Sequence, residues 1–113
     1  MRVLVCGGRE YTDRERVFAV LDAMADQIDR LICGGARGAD DLAYIWACRR
    51  DKSPERYMAE WERYGRRAGP IRNQRMIDEG KPDLVIAFPG GRGTADMVRR
   101  ARSASITVKE IEP

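Results

Sequence analysis

RLICGGARGADDLAYIWA, residues 30–47, decides the fold. It opens on a short apolar run through Leu31–Cys33, which ends a buried strand. From Ala39 to Arg50 the apolar side chains Leu42, Ala43, Trp46 and Ala47 recur at helical spacing. Between strand and helix lies one glycine-rich turn, GGARGAD, residues 34–40. The same pattern occurs twice more. The strand-like MRVLVC, residues 1–6, runs into GGREYTD, residues 7–13, and the run ending in AFP runs into GGRGTAD, residues 90–96. Each heptapeptide opens with Gly-Gly, contains an arginine and closes with Asp.

The other elements follow from these three units. Thr12 and Glu15 have capping-box spacing, so Thr12 is expected to cap a helix carrying Val17, Phe18, Val20, Leu21 and Met24 and running to Asp26. Ser53-Pro54 closes the helix that begins at Ala39, and a weak strand is expected from Arg56 to Ala59. WERYGRRAGP, residues 61–70, shows no periodicity. Pro70 suits the first position of a helix from Ile71 to Glu79, which Gly80 and Pro82 end. Leu84–Phe88 is the clearest strand. A helix from Thr94 to Arg102 and a strand from Ile106 to Ile111 complete the chain. Strict alternation of short apolar strands with helices predicts an α/β fold: one Rossmann-like, three-layer domain over residues 1–113. Its five-stranded, mostly parallel sheet is expected in the order 3-2-1-4-5, with helices on both faces.

Composition narrows the function. The 113 residues suffice for one core, and 43% apolar content argues against disorder. Twenty-one basic residues are offset by 18 acidic ones, a net charge of +3, so no nucleic-acid stripe is expected. No apolar run approaches membrane-spanning length and no secretory pattern opens the chain, so a cytoplasmic location without membrane partners is expected. Three cysteines without zinc spacing and the absence of histidine predict no metal site, and no cofactor is required. Cys6 and Cys33 read as small buried apolar groups.

In a parallel sheet all strand C-termini share one edge. The three glycine turns follow strands 1, 2 and 4, which the predicted order makes neighbours, so they converge on the crevice that binds ligands in open α/β sheets. Glycine permits tight turns and close approach. Each turn opens a helix whose free amides attract anions. The expected binding set is Gly7, Gly8 and Arg9 from the first turn, Gly34, Gly35, Arg37, Gly38 and Asp40 from the second, and Pro89, Gly90, Gly91, Arg92, Gly93 and Thr94 from the last. Tyr11 is expected at the same crevice. Arg72 and Asn73 would fall in the first turn of their helix, where a cation opposes the dipole unless an anion is bound. Asp40 and Asp96 are expected to cap helix N-termini, with ribose hydroxyls as the competing use. For Trp61, Tyr57 and Tyr64, core or dimer packing is expected over stacking on a ligand. No turn matches G-x-G-x-x-G or a P-loop.

VCGGREYTD, ICGGARGADDLA, WERYGRRAGPIRNQRM and IAFPGGRGTADMV together resemble the DUF2493 family, the YspA-like (cpYpsA-related) branch of the SLOG superfamily. The resemblance spans nearly the whole chain. It implies a Rossmann-like fold akin to that of the lysine decarboxylase-like (LOG) proteins and the DNA-processing protein DprA, a nucleotide or nucleotide-derived ligand, and assembly as a homodimer or higher homo-oligomer. Some superfamily members are enzymes, some bind DNA, and some sense signals in bacterial anti-phage systems. The phosphoribohydrolases of the superfamily carry PGGxGTxxE. Here PGGRGT occupies residues 89–94, the place of the glutamate falls on Met97, and Asp96 lies one residue early, about 100° away around a helix. The resemblance therefore favours a nucleotide-binding sensor or sequestering protein. An N-glycosidic or phosphoribosyl hydrolase using Asp40 or Asp96 is the alternative, and a DprA-like DNA-binding module is the weakest reading.

Overall fold

The computed structural model describes residues 1–113. Its strands are β1 (Arg2–Cys6), β2 (Arg30–Gly34), β3 (Glu55–Tyr57), β4 (Leu84–Ala87) and β5 (Thr107–Glu110). They form one all-parallel sheet in the order β3-β2-β1-β4-β5. The helices are α1 (Arg14–Asp22), α2 (Ala39–Arg49), α3 (Trp61–Tyr64), α4 (Ala68–Asp78) and α5 (Arg92–Ser103). The expected α/β, Rossmann-like architecture is present.

Strand alternation sorts the core into two halves. Val3, Val5, Leu31, Cys33, Ile86 and Phe88 face α1 and α2, where Val17, Leu21, Ala43, Trp46 and Ala47 complete one cluster. Leu4, Cys6, Ile32, Val85 and Ala87 face the other way, onto Met76 and Ile77 of α4 and Met97, Val98 and Ala101 of α5. Trp46 is wholly buried, and its indole N–H donates to Asp22 at 2.8 Å, so the one polar atom of that ring is satisfied. Cys33 pairs in register with Val5, not with Cys6, which leaves the two thiols on opposite faces of the sheet.

Local chemistry moves several boundaries. Asp13, not Thr12, caps α1: its carboxylate accepts the Arg16 amide at 3.0 Å. A carboxylate is the stronger acceptor at a positive helix end. That helix stops at Asp22, and Ala25–Gln27 form a separate 3₁₀ turn. Strand β3 spans Glu55–Tyr57 rather than Arg56–Ala59. The stretch 61–70 is ordered, as α3, a 3₁₀ turn at Gly65–Arg67 and the start of α4. Because α4 begins at Ala68, Pro70 is its third residue, where its missing N–H still leaves no helical bond unmade. Arg72 and Asn73 therefore lie in the second turn, and the expectation of a cation at the helix N-terminus is corrected.

The strand order presses the glycine turns together. β1 lies between β2 and β4, so the turn after β1 is held on both sides. The Gly8 amide donates to the Pro89 carbonyl at 2.9 Å, and the Gly8 carbonyl accepts from the Ala39 amide at 3.2 Å.

Candidate functional site

At the strand C-termini a crevice of about 860 Å³ opens, within the range of about 300–1,000 Å³ usual for small-molecule sites. Gly7, Gly8 and Arg9 line it from the turn after β1, and Gly91, Arg92, Gly93 and Thr94 from the turn after β4. The second turn contributes Ala36 and Asp40, and α4 contributes Arg72 and Asn73.

Its electrostatics favour an anion. Five arginines, Arg9, Arg66, Arg72, Arg92 and Arg99, stand against three carboxylates, Glu10, Asp40 and Asp96. Arg99 is engaged by Asp96. The other four close no ion pair with any acid of the chain. The N-terminus of α5 adds to this. Its cap position is Gly91, no side chain caps it, and a Cβ built on Gly91 or Gly93 would meet nothing within 4 Å. The first amides of an α-helix have no partner inside it, and here they belong to residues that line the crevice. By contrast α1, away from the crevice, carries its Asp13 cap.

Asp40 is the unusual group. It is only 6% exposed, yet it lies on the crevice wall. Burial pushes its carboxyl from the ordinary 3.8 up to about 6, while the positive charges of Arg72 and Arg9 and a hydrogen bond from the Ala36 amide limit the rise. Burial also lowers the Arg72 guanidinium, against the pull of Asp40. The two charged ends flank the Cα of Gly34: a Cβ there would lie 2.5 Å from Arg72 Nη1 and 2.8 Å from Asp40 Oδ2. Glycine at this position is what lets both groups reach the site. Arg72 is further steered by bonds from Nε to Asn73 Oδ1 at 3.1 Å and from Nη1 to the Tyr57 carbonyl at 3.4 Å.

Asp96 differs. Burial alone would raise its carboxyl, but hydrogen bonds from Arg100 and Asn73 outweigh it and hold the group below 3.8. Asn73, itself buried, donates Nδ2 to Asp96 at 3.0 Å and to the Gly93 carbonyl at 3.2 Å, tying α4 to the first turn of α5. Neither aspartate caps its helix as expected: the cap positions of α2 and α5 are Gly38 and Gly91, without side-chain bonds. Asp40 reaches back to a turn amide, and Asp96 sits too far along α5. Met97 is 1% exposed and packed in the core. The third position after Thr94 thus points into the sheet.

Other predicted residues lie elsewhere. Tyr11 packs its ring on Phe88, centroids 5.5 Å apart, and belongs to the α1–α2 core rather than the crevice. The Arg37 guanidinium donates to Glu10 at 2.8 Å, and with Gly35 and Met58 it lines a smaller cavity of about 370 Å³. Arg37→Ala is expected to change stability by less than about 0.5 kcal/mol in urea unfolding, because both partners of this ion pair are largely exposed. Gly38, Pro89 and Gly90 support the turns rather than line the crevice: a Cβ on Gly90 would meet Thr94 Oγ1 and the Gly8 amide.

Sequence reasoning missed Arg66 and Arg99, and Trp61, for which core or dimer packing is expected over stacking, lines the crevice half-exposed. Two signals were present. The stretch 61–67 is itself a strand-to-helix connection, so it must lie on the same sheet edge as the glycine turns. Arg92, Asp96 and Arg99 have the spacing of one helix face. Cys6 also reaches the crevice, its thiol pushed up to about 12 by burial and by the negative charges of Asp40 and Glu110, which leaves it inert at neutral pH.

Residues 1–64 match the model of the YspA, cpYpsA-related SLOG family. The Gene 61 protein of Mycobacterium phage D29 is 41% identical over 120 residues, an alignment covering 95% of this chain and 93% of that protein.

Proposed function

The chain belongs to the YspA, cpYpsA-related SLOG family, and from that premise we propose that its crevice binds a nucleotide or nucleotide-derived anion, as a sensor or sequestering protein. The observation that carries this reading is the set of four arginines, Arg9, Arg66, Arg72 and Arg92, which line the crevice beside the uncapped start of α5 and close no ion pair within the chain. The charge of Arg9 opposes that of Arg72, and a phosphate with bidentate acceptor oxygens relieves that repulsion. The open space over Gly91 and Gly93 lets phosphate oxygens reach the helix amides.

Thermal unfolding in the presence of nucleoside monophosphates, cyclic nucleotides and ADP-ribose tests the reading. A ligand at a hundred times its Kd adds about 2.7 kcal/mol to the native state. A midpoint unmoved by every compound would remove the proposal. Arg92→Ala is expected to weaken the tightest compound about tenfold or more, the worth of a charged hydrogen bond, without altering the unliganded midpoint, since Arg92 is exposed and makes no internal ion pair. Isothermal titration would measure both affinities.

One observation favours a hydrolytic reading as second choice. Asp40 is a buried carboxyl near pKa 6 facing the crevice, the property a general acid needs at neutral pH. It would protonate the leaving base of an N-glycosidic bond while water adds to the sugar carbon. Release of free adenine from AMP, abolished in Asp40→Asn with binding retained, would support it. Binding without any release would leave the sensor reading alone.

A further inference from the structure

We propose that Trp61, braced by Arg9, is the platform on which the base of the bound nucleotide stacks. This rests on the nucleotide-binding reading and adds to it which residue makes the ligand a nucleotide rather than a sugar phosphate.

Trp61 is the one aromatic side chain lining the crevice. Everything else there is glycine, a charged, amide or hydroxyl side chain, or aliphatic and sulfur-bearing surface, and none of these offers an aromatic face. The indole is 48% exposed, whereas the other tryptophan of the chain, Trp46, is wholly buried with its N–H bonded to Asp22. The Trp61 N–H makes no hydrogen bond and is free to donate to a ligand. The ring is nevertheless held in place. Its far edge lies over Gly69 of α4, close enough that a Cβ there would come within 3.4 Å of Cη2. The Arg9 guanidinium sits 5.3 Å from the ring centroid, a cation–π distance. A fixed, half-exposed indole loses little rotamer freedom when a ring covers it.

The position also suits a base. Trp61, Arg9, Ala36 and Arg72 line both the 860 Å³ crevice and the neighbouring 370 Å³ cavity, so the indole stands where the two spaces adjoin. A base stacked on it has room on that side, while its phosphates remain within the arginine-rich crevice. Arg9 links the two functions, one guanidinium bracing the stacking ring and carrying charge toward the anion. Stacking tolerates any base, so Trp61 would select for the presence of a base rather than for its identity.

The test compares AMP and ADP-ribose with ribose 5-phosphate, which lacks a base, by titration calorimetry and by Trp fluorescence. In wild-type protein the nucleotides are expected to bind roughly ten- to a hundredfold tighter than ribose 5-phosphate and to quench the exposed Trp61. Trp61→Ala should abolish both the preference and the quenching, so that the nucleotides bind no tighter than ribose 5-phosphate; Trp61→Phe should keep most of the preference. If Trp61→Ala binds the nucleotides as tightly as wild type, the platform is overturned while the nucleotide site stands. If the variant changes only the sedimentation of the protein, the indole serves an interface between copies and the platform is likewise overturned. If neither AMP, ADP-ribose nor ribose 5-phosphate binds wild-type protein, both proposals fall together.

Discussion

Asp40→Asn is expected to raise the stability of the protein at pH 8 by roughly 3 kcal/mol and to leave it unchanged below about pH 4. The carboxyl is almost fully buried and its pKa in the fold rises from 3.8 to about 6, at about 1.36 kcal/mol per unit. An acid whose folded pKa is raised binds its proton more tightly in the native state. The stabilisation from that proton is complete below the unfolded pKa near 4 and is lost as the pH climbs through 6. Above pH 6 the wild-type protein must therefore hold a buried negative charge that Arg72 and Arg9 only partly compensate. Asparagine has the same shape, retains an acceptor for the Ala36 amide and carries no charge. Urea unfolding of both proteins at pH 4, 6 and 8 measures the difference. Equal stabilities at pH 8 would mean that Asp40 is solvated and that the crevice wall is not dry. Retaining a destabilising carboxylate is the usual sign of a functional group. The same linkage acts on the ligand: an anion near Asp40 prefers its neutral form, so phosphate-bearing compounds should bind more tightly as the pH falls through 6 toward 5.

Gly38→Ala is expected to cost about 3 kcal/mol and to lower the thermal midpoint by roughly 10–15 °C, read by circular dichroism. Gly38 is the cap position of α2 and has φ +82° and ψ −131°, a conformation in which a side chain is strained. A Cβ would also lie 2.2 Å from the Gly8 carbonyl oxygen and 2.7 Å from the Arg9 carbonyl carbon, both backbone atoms. Relieving that overlap separates the first two turns and breaks the Ala39 amide bond to Gly8. Gly91→Ala is the contrast. Its φ is −102° and nothing lies within 4 Å of the added methyl, so the fold tolerates it. The methyl would occupy the space over the α5 amides, so affinity for phosphate-bearing ligands should fall while the midpoint holds. Similar losses of stability in both variants would contradict the division between a turn-forming and a ligand-facing glycine.

Much of this architecture is written in local pattern. Short apolar runs such as Val3–Cys6 and Leu84–Ala87 can only be buried strands, and the helical spacing of Leu42, Ala43, Trp46 and Ala47 can only be a helix lying on them. Their alternation requires a parallel sheet, and a parallel sheet brings the turns at residues 7–13, 34–40 and 90–96 to one edge. That chain of inference uses only period, sterics and connection handedness, all of which act between residues near in sequence. What it could not reach depends on distant neighbours. Arg37 and Arg92 look alike in their heptapeptides, yet Glu10 neutralises one and no acid meets the other. Asp40 and Asp96 look alike too, yet the first is dried out beneath Arg72 and the second is tied down by Asn73, Arg99 and Arg100. Trp61 is expected in core or dimer packing but stands half-exposed in the crevice, on the short helix that precedes α4. Charge pairing, desolvation and exposure are properties of the space around a side chain, and that space is assembled only when elements far apart in the chain pack together.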